Sequence, residues 1–75
     1  MKEKIENKLI EDIDFPLTDD VIINDNSVII FSEIDVDEMD INDCIYLMDN
    51  DFNMYFDGIK YDEKKQKSSL IFRMK

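Results

Sequence analysis

Val21-Ile22-Ile23-Asn24-Asp25-Asn26-Ser27-Val28-Ile29-Ile30-Phe31 is the stretch that commits this chain to a sheet. Two β-branched runs flank a short Asn/Asp/Ser cluster, and that pattern predicts a β-hairpin. The second strand can continue to Ile34, with Val28, Ile30, Ser32 and Ile34 alternating against Ile29, Phe31 and Glu33. Moving towards the C-terminus, Phe52, Met54 and Phe56 alternate with Asn53, Tyr55 and Asp57, the clearest strand signal in the chain. Gly58 predicts a bulge before Ile59-Lys60-Tyr61. Residues 62–67 read as a polar loop, and Leu70, Phe72 and Met74, alternating with Ser69, Ile71 and Arg73, read as a final strand.

Between these strands, residues 35–43 are the most acidic segment. Asp35 followed by Glu38 has the spacing of a capping box, and Ile41, Cys44, Ile45 and Met48 fit a helical face. Asp, Asn, Ile and Val are mediocre helix formers, however. The reading is therefore a loop or short helical turn, a strand over 44–48, and a turn at Asp49-Asn50-Asp51. Towards the N-terminus, Ile5, Leu9 and Ile13 recur every four residues, with Ile10 beside them and charges between, which predicts a helix over 2–12. Phe15-Pro16 ends it, because a residue before proline is pushed out of the helical region. The expected fold is α+β, an N-terminal helix packed on a small antiparallel sheet of four to five strands.

A chain of 75 residues is expected to be one domain near the lower end of what folds alone. A core of this size nets only about 3–5 kcal/mol without a staple. The single cysteine, Cys44, has no disulfide partner in the chain, and with no His there is no zinc motif. The charged start, Met1-Lys2-Glu3-Lys4, lacks the apolar region of a signal peptide, and a lone thiol suits a reducing compartment; both point to the cytoplasm. With 44% hydrophobic and 11% aromatic residues and one Gly and one Pro, the chain reads as folded rather than disordered.

Charge is segregated along the chain. The net charge is −10, yet residues 9–59 contain no base at all and hold most of the acids, while every Lys and Arg lies in the two terminal segments. Surfaces that only need solubility intersperse the two signs. A genome favouring Asp, Asn, Ile and Lys accounts for the residue types, but not for the absence of lysine from the middle. Such a charge repels nucleic acid and anionic membranes, so neither is expected as a direct ligand.

Catalysis has little to work with: no His, no Ser/Cys–His pairing and no Gly-rich phosphate loop. No cofactor and no metal are expected. Asp49-Asn50-Asp51-Phe52-Asn53 opens like a calcium-binding loop, but Met54 stands where Gly is required and Lys60 where Glu is required. Cys44 and the methionines Met39, Met48, Met54 and Met74 read as core fillers. Tyr46, Tyr55 and Tyr61 are candidate interface anchors.

Recognition by charge remains. On an extended strand, residues i and i+2 share a face about 6.6–6.8 Å apart, close to the spacing of phosphates along a nucleic-acid strand. Asp12/Asp14, Asp35/Asp37 and Asp49/Asp51 have that sequence spacing. In size, acidity and absence of catalytic residues the chain resembles phage-encoded inhibitors of bacterial defence, the DNA-mimicking anti-CRISPR and anti-restriction proteins. It also resembles small acidic immunity proteins and antitoxins. The resemblance implies a partner that is a basic nucleic-acid-binding protein, a nuclease or defence effector. The expected contacts are Asp35, Asp37, Glu38, Asp40 and Asp43, assisted by Asp49, Asp51 and Asp57. The competing expectation is a small adaptor or homodimer that binds through an apolar surface such as Tyr46, Tyr55 or Ile71, with the acids only conferring solubility.

Overall fold

A computed structural model describes residues 1–75. Helix α1 spans Lys2–Ile13. Ile5 and Leu9, one turn apart, are fully buried, whereas Ile10 lies on the opposite side and faces solvent. The helix ends at Asp14, which is left-handed (φ 51°). Asp14 N–H donates to the Ile10 carbonyl at 3.1 Å and Phe15 N–H donates to the Leu9 carbonyl at 2.9 Å. These two bonds close a Schellman-type terminus just ahead of Pro16. The Glu6 carboxylate then accepts from Val21 N–H at 2.8 Å, which ties the segment leading into the sheet back onto α1.

The expected hairpin forms from β1 (Ile22–Ile23) and β2 (Ser27–Glu33), closed by Asn24 N–H donating to the Ser27 carbonyl at 2.8 Å. A second helix, α2 (Glu38–Phe52), follows, and then β3 (Met54–Asp62) and β4 (Lys67–Met74). The sheet order is β1-β2-β4-β3, with every neighbouring pair antiparallel. Helix α2 carries the chain from β2 to the far edge, and β4 fills the gap between. The fold is thus α+β with a four-stranded sheet and two helices rather than one.

Helix α2 corrects the reading of residues 35–51. The strand expected over 44–48 and the turn expected at 49–51 are both helical, and the following strand begins at Met54, not Phe52. Burial of one stripe outweighed propensity: Cys44, Leu47 and Met48 are buried, and Ile41, Ile45 and Phe52 pack against the same core. Poor formers such as Asp and Asn cost only a few tenths of a kcal/mol each, roughly, less than one buried aliphatic side chain returns. Asp37 starts the helix, its carboxylate accepting from Met39 N–H at 3.4 Å, and left-handed Asn53 (φ 54°) stops it.

Both helices lie on one face of the sheet. The core is a single cluster in which Val28, Ile30, Met54, Leu70 and Phe72 meet Ile5, Leu9, Cys44, Leu47 and Met48. Phe56 packs its ring against Phe72 at 5.4 Å between centroids, tilted by 56°. One polar pair sits in this apolar face. Ser32 and Ser68, directly opposite across β2 and β4 and both fully buried, share a 2.7 Å hydrogen bond. Each is also within reach of the Glu33 carbonyl, at 3.2 and 3.0 Å.

The bulge expected at Gly58 is present: the β3–β4 register shifts between Phe56 and Gly58, and Gly58 holds φ 156°, a backbone state that side chains oppose. Of the methionines expected in the core, Met48 and Met54 are buried, but Met39 and Met74 are exposed. Met39 falls on the solvent side of α2, where a loop or short helical turn is expected from sequence, and Met74 lies at the exposed end of β4. No helix is long and apolar enough to cross a membrane.

Candidate functional site

The ion pairs decide what remains of the charge map. Lys2 pairs with Asp20 at 3.2 Å, Lys8 with Asp12 at 3.5 Å and Asp51 at 3.3 Å, Lys67 with Asp19 at 2.6 Å, and Arg73 with Asp57 at 2.7 Å. Lys75 pairs with Asp49. Every one of these joins a base from a terminal segment to an acid from the base-free centre. Folding therefore undoes part of the segregation seen along the chain.

The eight expected contact residues divide on this basis. Asp49, Asp51 and Asp57 are each held by a cation: Lys75, Lys8 and Arg73. Two of these pairs have a local reason. Asp49 and Asp51 sit in the last turn of α2, where the helix dipole disfavours negative charge, and Lys75 and Lys8 offset that. The Asp51 carboxylate beside it raises the pKa of Lys8, and Asp57 does the same for Arg73. These three acids are occupied within the molecule.

Asp35, Asp37, Glu38, Asp40 and Asp43 form no ion pair. They gather at one end, on the turn after β2 and the first two turns of α2. Val36 N–H donating to the Glu33 carbonyl at 3.1 Å shapes that turn. Asp37, Glu38 and Asp40 have a structural reason to be here, since acids near a helix N-terminus contribute about 0.3–1 kcal/mol each. Asp35 and Asp43 have none; Asp43 is exposed in the second turn, three residues from Asp40.

The strand spacing expected for phosphate imitation does not survive. Asp49 and Asp51 are helical, Asp12 and Asp14 occupy the end of α1, and Asp35 lies in the turn after β2 with Asp37 capping α2, so none of the three pairs lies on a strand. A different spacing replaces it. Asp37, Asp40 and Asp43 follow one another at i, i+3 and i+6, which sets Cβ atoms about 5–6 Å apart in a row that winds along α2.

Beside the acids the solvent side of α2 exposes Met39 and Tyr46, both more than 70% accessible. Tyr46 is thus exposed as expected of an anchor, whereas Met39, expected in the core, is outside it. The helical period 39, 42, 43, 46 would have found it, had the segment been read as a helix. Tyr55 and Tyr61 are also exposed, on β3 rather than beside α2. No group of three Asp, Glu or Cys side chains is arranged to hold a metal ion.

Cys44 is sealed in the core, and burial pushes its thiol up to about 12. A nucleophile needs the thiolate, so this group is packing. The start of α2 thus presents a group of carboxylates beside two exposed apolar side chains, Met39 and Tyr46. Comparison with protein-family models, curated proteins and solved structures finds no match, so the geometry alone carries the functional reading.

Proposed function

We propose that this chain is a non-enzymatic inhibitor whose acidic end of α2 occupies the nucleic-acid-binding site of a basic protein, a nuclease or defence effector. The observation that carries the reading is the contrast among its carboxylates. Asp35, Asp37, Glu38, Asp40 and Asp43 stand together without a basic partner, while Asp49 and Asp51 at the other end of α2 and Asp57 on β3 are paired. A row of carboxylates on a rigid helix presents charge at fixed intervals, which a groove built for phosphates can read. Tyr46 and Met39 supply apolar contact next to the charge, the combination expected of a central anchor with a polar surround. An immunity protein or antitoxin would use the same surface, with a nuclease toxin as its target.

The test is capture of partners on the immobilised chain, with stepwise salt elution and with DNA or RNA as competitor. Retention of a nucleic-acid-binding protein that salt releases steeply and nucleic acid displaces supports the reading. The variant Asp35→Lys/Asp40→Lys/Asp43→Lys leaves the Asp37 cap in place and should weaken capture at least about 100-fold, since each close charge pair at an interface couples by about 1.5 kcal/mol or more. Undiminished capture and inhibition by that variant would sink the proposal.

A further inference from the structure

Asp43, Tyr46, Leu47, Asn50 and Asp51 follow the helical period along one side of α2. That stripe meets the last turn of α1, where Asp12 and Ile13 form the other wall of a notch of about 220 Å³. Leu47 belongs to the core and Ile13 packs against it, so the two make an apolar floor. Tyr46 stands exposed at the rim. The volume falls below the roughly 300–1,000 Å³ of a small-molecule pocket and suits a single side chain.

Charge around the notch is not balanced. Asp12, Asp43 and Asp51 line it, and the base that reaches them is Lys8, whose ammonium is shared between Asp12 at 3.5 Å and Asp51 at 3.3 Å. Asp43 is left without a partner, so one ammonium faces three carboxylates. The backbone adds to the imbalance. Both helices bring C-terminal turns to this place, and neither carries a base in its last turn. The negative end of a helix dipole favours a cation there. Asn50 contributes an acceptor as well: its amide donates to the Tyr46 carbonyl at 2.9 Å, which leaves its side-chain oxygen to receive a donor.

We infer that this notch receives an arginine side chain of the partner protein. The assignment rests on α2 being the partner-binding helix, and it names what that helix grips. Three properties select the occupant together. It is cationic, because the walls hold uncompensated carboxylates. It has an apolar stem, which lies on Ile13 and Leu47 as the stems of long basic side chains do. It offers several donors in one plane, because acceptors stand on both walls and the Tyr46 ring presents a face for stacking. Lysine meets the first two conditions, and arginine meets all three. A second copy of this chain is a poor source, since its one arginine, Arg73, is already paired with Asp57. A protein built to bind phosphates is a good one, because arginine is the residue that reads them bidentately.

Titration of the full chain with N-acetyl-arginine amide, and separately with N-acetyl-lysine amide, tests this by ¹H–¹⁵N NMR at a constant ionic strength of ~0.15 M. Saturable shifts centred on Ile13, Tyr46, Leu47 and Asn50 are expected, with arginine bound more tightly than lysine. Tyr46→Leu and Asp43→Asn should each weaken the arginine at least about threefold with unchanged circular dichroism. Asp35→Lys/Asp40→Lys alters the acids that capture the partner but not the notch, and should change arginine binding by less than about twofold. Partner capture and arginine binding are thus read separately, and either can fail without the other. Unsaturable shifts spread over every acidic stretch overturn the inference, as does lysine equal to arginine, or binding indifferent to Tyr46→Leu and Asp43→Asn.

Discussion

Alkaline pH should unfold this protein through one buried thiol. Cys44 is 0% exposed among Leu47, Met48 and the sheet, and burial raises its pKa from 9.0 to about 12. In the unfolded chain the thiol ionises near its ordinary value; in the folded chain it keeps its proton until far higher pH. Below pH 9 both states hold the proton, and the thiol contributes its full share to stability. As pH rises past that point the unfolded state releases a proton that the folded state retains, and stability falls. Each pH unit in this window costs about 1.4 kcal/mol, so on the order of 3 kcal/mol is gone by pH 11. A stapleless core of this size holds only about 3–5 kcal/mol in all, so the loss is most of the fold. Urea unfolding followed by circular dichroism at pH 8, 9, 10 and 11, on the wild type and on Cys44→Ala, isolates the effect from the lysines and tyrosines that titrate nearby. Cys44→Ala should begin less stable, for want of the side chain, and lose less with pH, so the two curves converge. Curves that fall in parallel would refute the assignment of the alkaline loss to Cys44.

Three further outcomes follow from the packing and the ion pairs. Phe72→Ala removes the ring at the centre of the sheet's inner face, at a cost of about 3–5 kcal/mol, and should leave no cooperative thermal transition, whereas Phe72→Leu keeps one. Ser68→Ala costs about 0.5–1.5 kcal/mol in denaturant unfolding, and adding Ser32→Ala costs less than the sum, because the second change removes a hydroxyl already deprived of its partner. Lys67 and its hydrogen bond hold the Asp19 carboxyl below the usual carboxylate range, so in Lys67→Gln an NMR titration should find that carboxyl moved up. The stability difference between Lys67→Gln and wild type should be present near neutral pH and fade as acid protonates Asp19.

Much of this fold was legible from local pattern. The hairpin at Val21–Phe31, the strand through Phe56, the bulge at Gly58 and the helix carrying Ile5 and Leu9 are short-range features. Alternation, turn chemistry and a four-residue apolar period specify them without reference to distant parts of the chain. Residues 35–51 were different, because their propensities and their apolar spacing point in opposite directions. A helix there is stable only when Cys44, Leu47 and Met48 have a sheet to cover, and that sheet is completed by strands that come later in the chain. The charge map divides in the same way. Sequence determined that the centre is acidic and base-free, with Asp35 to Asp43 its densest part. Only the tertiary structure decided which acids are free, because ion pairing depends on which terminal lysines and arginines return to the centre. Lys75 reaches Asp49, Lys8 reaches Asp51 and Arg73 reaches Asp57, while no base reaches the start of α2. The outer row of the sheet is likewise a product of long-range assembly. Ile22, Ile29 and Ile71 meet in one row through the register of β1, β2 and β4, and both helices pack on the other side.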